Sequence, residues 1–325
     1  MIWRNVYRLL SPRGGRARLS ILINHRVLPA ADPLIPGEPD ARLFEARVRM
    51  LRDTCNLLSL TEALDRLAEG SLPERAAVVT FDDGYADNHD IAMPILHKLG
   101  VPATFFIATG FLGGGIMFND QVVEAVRGAQ EAVLDLAWLG LGKVPVAGLD
   151  AKRAAIERIL PIVKYLPFDA RREAGQRLAR EAGVKYPVDL MMTHEQVRAM
   201  HRGGMEMGGH TRNHPILAGL DTEAARAEIE NGKADVEDVL GRRIDLFAYP
   251  NGKPGVDYTV VHAALARAAG YRCALSTATG SVGAGADLYQ LARFMPWGPG
   301  PWRYQAQIAG NLLREPELSA ANVAA

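Results

Sequence analysis

Branched apolar residues crowd residues 19–28 (LSILINHRVL), the pattern of a buried strand, and deliver His25 near its end. Between residues 44 and 69 the apolar positions Phe44, Val48, Leu51, Leu60, Leu64 and Leu67 recur at helical spacing, broken at 56–60, which predicts helix, short strand, helix. Residues 76–84 (AAVVTFDDG) form a short apolar run ended by two aspartates and a glycine, and 103–111 (ATFFIATGF) form another. The stretch between them, 91–100, has helical spacing and stops at Gly100. Strand, helix, strand is the signature of a parallel sheet.

The alternation resumes at 194–209 with a helix and a short strand, and continues through a strong helix at 222–241, a strand and turn at 244–252, and helix then strand at 260–277. A last strand is predicted within 288–297 (LYQLARFMPW). Six or more such units with right-handed crossovers predict a closed or nearly closed α/β barrel, with its site at the C-terminal ends of the strands. Residues 119–183 break the rhythm: they show charged amphipathic stretches and no clear strand, so they are expected to be a helical insertion that caps the barrel mouth. The expected layout is a basic amphipathic segment at 1–20, the barrel at 21–314 and a small polar disordered tail at 315–325.

With 48% hydrophobic residues in a chain of 325, one large core or two modest ones can be buried. Lys plus Arg and Asp plus Glu are both 37, so no large field of one sign covers the whole surface to hold nucleic acid. The two cysteines lie far apart without CxxC spacing, which fits two buried thiols in a reducing compartment. No run of 18 apolar residues is present, and arginines break every short apolar run near the start, so a cytoplasmic location is expected. In the first segment Ile2, Val6, Leu9 and Leu10 share a helical face, while Arg4, Arg8, Arg13, Arg16 and Arg18 add positive charge. Two readings follow: a helix packed on its own domain, and peripheral contact with anionic lipid that makes the protein membrane-associated.

Chemistry concentrates in two places. Asp82 and Asp83 close a predicted strand where a barrel opens into its site, although DDG alone reads ordinarily as an Asp cap in a loop. His210 and His214 stand four apart after another predicted strand; on the helix expected there, one turn would aim both imidazoles at one ion, where a lone H-x-x-x-H is usually two solvated histidines. Two histidines and one carboxylate make the three protein ligands usual for a catalytic metal that keeps positions open.

TFDDGYADN, GGHTRNHP and FAYPNG together resemble the polysaccharide deacetylase family (NodB homology, carbohydrate esterase family 4), over about residues 22–297 apart from the insertion. The resemblance implies a distorted (β/α)7 barrel and N-acetylated glycans as substrates. It makes Asp82 the catalytic base and Asp83, His210 and His214 the metal ligands, with the amide of Asn251 as oxyanion donor and Tyr249 lining the sugar pocket. Two departures stand out. Where the family has an arginine that holds the base, this chain has Ala248, and Arg293 is the nearest guanidinium to take over. The late family histidine that serves as general acid is missing from LARF (291–294), which leaves His25 as candidate, against a core histidine bonded to backbone. His89, His97, His194, His201 and His262 read as structural or solvated.

A His2Asp set suits Zn2+ or a similar first-row ion better than Mg2+ or Ca2+. The function expected is metal-dependent removal of an N-acetyl group from an amino sugar in a glycan or glycan precursor. Two other classes compete: a hydrolase of another non-peptide C–N bond, such as a formamide or cyclic ureide, and a carbohydrate-binding protein without catalysis. A pure binder has no use for a proton-accepting carboxylate beside a metal, which counts against the last.

Overall fold

The computed structural model describes residues 2–298 and 300–319. Its centre is an all-parallel sheet built from β1 (Ser20–Asn24), β2 (Asn56–Leu57), β3 (Ala76–Phe81), β4 (Thr104–Ile107), β7 (Glu206–Gly209), β8 (Leu246–Ala248) and β9 (Cys273–Leu275), ordered β1-β3-β4-β7-β8-β9 with β2 beside the start of β3. The predicted strand at 288–297 forms only single parallel bridges, Leu291 to Leu275 and Phe294 to Leu22. Those bridges set the segment between β9 and β1 and bring the curled sheet close to closure as a distorted (β/α)7 barrel.

Helices α1 (Ile2–Leu10), α2 (Ala41–Thr54), α3 (Leu60–Ala68), α4 (Met93–Leu99), α8 (His194–Arg202), α9 (Thr222–Leu240), α10 (Val260–Ala268) and α11 (Pro301–Leu312) cover the outside. Their ends follow local chemistry: Asp40 and Asp221 cap α2 and α9 by accepting from Leu43 N–H and Ala224 N–H, and Gly100 and Gly241 end α4 and α9 with positive φ. Every residue of β3 is buried, as a strand covered on both faces must be. Phe81 and Phe105 stack at 4.7 Å, with Phe44 edge-on to Phe81, in the core between the sheet and its helices.

The insertion is not purely helical. It comprises α5 (Phe118–Gly128), an antiparallel hairpin of β5 (Val133–Leu136) and β6 (Gly142–Pro145), α6 (Leu149–Lys164) and α7 (Phe168–Ala182), around a hydrophobic core of its own. The hairpin escaped the sequence because Leu134, Leu136 and Val144 are its only fully buried apolar side chains. Of the expected tail, residues 320–325 lie outside the described part; within 315–319, Glu315 pairs with Arg18 and the Ser319 N–H donates to Gln290 Oε1 at 2.9 Å.

Candidate active site

Strand order brings the two motifs together. β3 and β7 flank β4, so the loops after them share one end of the barrel. Asp82 and Asp83 leave β3 there; the N–H of Asp82 donates to the Asn24 carbonyl at 3.0 Å, and Asp83 turns into the left-handed region at φ 76. That turn lets two consecutive carboxylates serve one site, where a continuing strand would send them to opposite faces.

His210 leaves β7 with its N–H donating to the Ile107 carbonyl at 3.0 Å. The segment that follows is a loop, not the expected helix: Thr211 and His214 both take positive φ (62 and 50), and Thr211 Oγ1 accepts from the His214 N–H at 3.1 Å. The two imidazoles converge through this tight turn, with ring centroids 4.9 Å apart.

The donor atoms of Asp83, His210 and His214 all lie within 4.8 Å of one another, and all three residues are buried. His210 Nε2 stands 3.5 Å and His214 Nε2 3.4 Å from Asp83 Oδ1. Two donors bound about 2.1 Å from one tetrahedral ion stand about 3.4 Å apart, so the spacing fits a shared cation better than direct hydrogen bonds. Asp83 Oδ1 is buried without a hydrogen-bond partner. His210 Nδ1–H donates to the Ala248 carbonyl at 2.7 Å, which fixes the tautomer and turns the Nε2 lone pair towards Asp83. Burial pushes the His214 imidazole down to about 3 and so keeps it neutral, as a ligand must be. Burial also lowers His210, but Asp82 and Asp83 overrule it and raise its pKa: the carboxylates call for positive charge between them.

Asp82 lies beside this set without joining it, with Oδ2 3.9 Å from His210 Nε2. Arg293, buried on the segment that bridges β9 and β1, grips it in bidentate fashion, Nη1 to Oδ1 at 2.7 Å and Nη2 to Oδ2 at 2.8 Å. Arg293 Nε donates to the Ser276 carbonyl at 3.0 Å, which fixes the guanidinium plane. Burial works to raise the Asp82 carboxyl, yet the Arg293 charge and the nearby imidazoles hold it below the ordinary carboxylate range, ionised and able to accept a proton.

The family model for polysaccharide deacetylases matches residues 69–132 and 172–274, half the chain, with its gap inside the insertion. The chain belongs to the polysaccharide deacetylase family. It is therefore a hydrolase of carbon–nitrogen bonds other than peptide bonds. YxkH of Bacillus subtilis, named for the same family, is 22% identical over 279 residues, which is 85% of this chain and 71% of that protein. The poly-beta-1,6-N-acetyl-D-glucosamine N-deacetylase of Staphylococcus aureus is 37% identical over 82 residues, 25% of this chain and 28% of its own. Among solved structures, IcaB from Ammonifex degensii superposes with a TM-score of 0.59 at 20% identity, covering 92% of this chain and 98% of that one. The Streptococcus pyogenes deacetylase PplD in complex with acetate gives 0.60 at 19%, covering 90% and 98%. At these identities the likeness is one of fold.

In this polysaccharide deacetylase the site opens into a cavity of about 1280 Å3. His25 borders it from the end of β1, one position beyond the Asn24–Phe81 pair and hence alongside Asp82. Asn251 borders it at φ 58, with its side-chain Nδ2 buried and unpartnered. Tyr249 does not reach the cavity: it stacks on Tyr258 at 3.9 Å, donates to the Tyr289 carbonyl at 2.9 Å, and belongs to the core behind the site. His97 and His262 are structural, one bonded to the Gly203 carbonyl and the other capping α10 at Thr259.

Other residues were not visible as site residues in the sequence. Tyr85 donates to Asp120 at 2.8 Å, Asn119 donates to Tyr85 at 3.1 Å, and Arg26 bridges Asp87 and Asp120, making a polar wall of the cavity. Arg171, from α7 of the insertion, donates to the His214 carbonyl at 2.9 Å. Tyr85 had a signal in its place beside TFDDG; Asp120 and Arg171 sit in charged amphipathic helices and read as solvated there.

Proposed function

We propose that this deacetylase removes the N-acetyl group from an amino sugar of a glycan or glycan precursor, with a divalent ion, Zn2+ in the first place, held by Asp83, His210 and His214. The observation that carries the reading is the arginine-clamped Asp82 standing just outside a convergent His2Asp donor set on a large cavity. An ion bound there supplies Lewis-acid polarisation of the amide carbonyl and lowers the pKa of water towards about 7. Asp82 takes the proton from the attacking water while Arg293 keeps it oriented. The Asn251 amide is the donor assigned to the developing oxyanion, by the family resemblance and its place on the cavity. His25, on the cavity and level with Asp82, protonates the leaving amine.

The test separates the two aspartates. In D82N the donor set is intact, so metal content stays at the wild-type level while turnover falls roughly 10²–10⁴-fold. In D83N a ligand is lost, so metal content drops and activity returns in part when zinc is supplied in excess. Acetate released from an N-acetylated amino-sugar oligomer is the expected product; release of formate or ammonia instead, or full activity after chelation, would overturn the reading.

A further inference from the structure

The chain carries equal numbers of acids and bases, yet they are not evenly spread. Residues 1–31 hold six arginines and no Asp or Glu, and residues 288–314 hold three arginines and none. These two acid-free stretches meet in the fold. α1 lies on α11, with Trp3 and Trp302 ring centroids 5.6 Å apart and the Tyr7 hydroxyl donating to the Gln305 carbonyl at 2.9 Å. Arg4, Arg8, Arg13, Arg16, Arg303 and Arg314 are exposed and unpaired by any acid among the described residues, while Glu315, next in the chain, is taken up by Arg18.

The same pair of helices exposes large apolar side chains. Ile2 (64% exposed) and Leu9 (79%) are seven apart on α1 and share a face. Trp302 (64%) stands in the first turn of α11 and Leu313 (70%) just past its last residue. Arg303, Ala306 and Gln307 of α11, and Arg314 beyond its end, line the catalytic cavity, and Arg303 stacks on Trp297 at its rim with 3.6 Å to the ring centroid. Exposed Leu, Ile and Trp flanked by arginine and free of acids is the composition of a face that rests in a bilayer interface.

We infer that α1 and α11 together form a docking face for an anionic lipid bilayer, placed so that the catalytic cavity opens beside the membrane surface. The occupant is identified by charge complementarity: along α1, α11 and the residues flanking them a neutral protein carries arginines without acid partners together with exposed indole and aliphatic groups, and phosphate-bearing headgroups over an apolar layer match both. This deepens the deacetylase reading and rests on it for the chemistry: the amino sugar then reaches the cavity on a lipid carrier or on a glycan held at the membrane.

Sedimentation of the full chain with vesicles tests the inference independently of catalysis. Wild-type protein is expected to sediment with vesicles of phosphatidylcholine containing a third phosphatidylglycerol, to stay in solution with phosphatidylcholine alone, and to be released as salt rises. L9S/W302S/L313S is expected to bind at least tenfold more weakly, yet to keep wild-type turnover on a water-soluble N-acetylated oligosaccharide, since none of the three touches the cavity. D82N is expected to bind vesicles as wild type does. Circular dichroism establishes that the triple variant is folded, and L9S alone, a milder change, is expected to weaken binding in the same direction. Equal affinity for both vesicle types, no sedimentation at low salt, or a dimer in solution that the triple variant dissolves would overturn the inference, the last by assigning the face to a second copy of the chain.

Discussion

Arg293 and Asp82 lie 211 positions apart in the chain and meet as a buried bidentate pair. Removing one partner leaves the other charge uncompensated in the interior, which costs about 3–5 kcal/mol. R293M is accordingly expected to unfold at lower denaturant concentration and to lose most turnover. R293K keeps the charge but not the fork, so it should recover stability more than kcat. Chemical denaturation and kcat for both variants check this, and R293M with wild-type turnover would remove Arg293 from the mechanism. Asp120 poses the opposite problem. Burial, only partly offset by Arg26 and the Tyr85 hydrogen bond, pushes its carboxyl from 3.8 up to about 7. A pKa raised on folding contributes stability that is present below the unfolded value and lost as pH rises through the folded one. Wild type should therefore lose Tm relative to D120N between about pH 4 and pH 7; a difference independent of pH would show that Asp120 does not titrate there.

α9 packs directly against the loop that carries His210 and His214. A Cβ on Gly232 would stand 2.5 Å from the Thr211 carbonyl carbon and 2.8 Å from the Arg212 nitrogen, both backbone. Helix propensity alone favours alanine there by roughly 0.5–1 kcal/mol. The close approach to rigid backbone outweighs it, because overpacking costs typically about 1–3 kcal/mol. G232A is thus expected to be less stable and to bind zinc more weakly, the Thr211 turn being what sets the two imidazoles together. Thermal unfolding and zinc titration decide it: a G232A protein of higher Tm and unchanged zinc affinity would mean that the loop yields freely. From the other side α7 reaches the same loop through Arg171, so the insertion braces the His214 loop as well as walling the cavity.

At the scale of the molecule, a metal held by Asp83, His210 and His214 would tie the ends of β3 and β7 across β4. Binding to the folded state alone stabilises by about 2.7 kcal/mol at a hundredfold excess over Kd. Chelation should lower Tm and zinc should restore it, in wild type and D82N but not in D83N; a Tm indifferent to zinc in all three would place the ion elsewhere. What the sequence by itself determined is what neighbouring residues decide among themselves: the alternation of β3, α4 and β4, the stop at Gly100, and the motifs TFDDG and HTRNH at the ends of buried strands. The tertiary structure alone decided where side chains at those strand ends point. The H-x-x-x-H spacing suggested a helical turn, but the chain turns through positive φ at Thr211 and His214 under the packing of α9. Tyr249, placed by its motif in the sugar pocket, is drawn into the core by Tyr258 and the Tyr289 carbonyl. Arg293 meets Asp82 only because the segment after β9 returns beside β1 and nearly closes the barrel. Such contacts depend on how distant strands are brought together, and no local pattern of polarity records that.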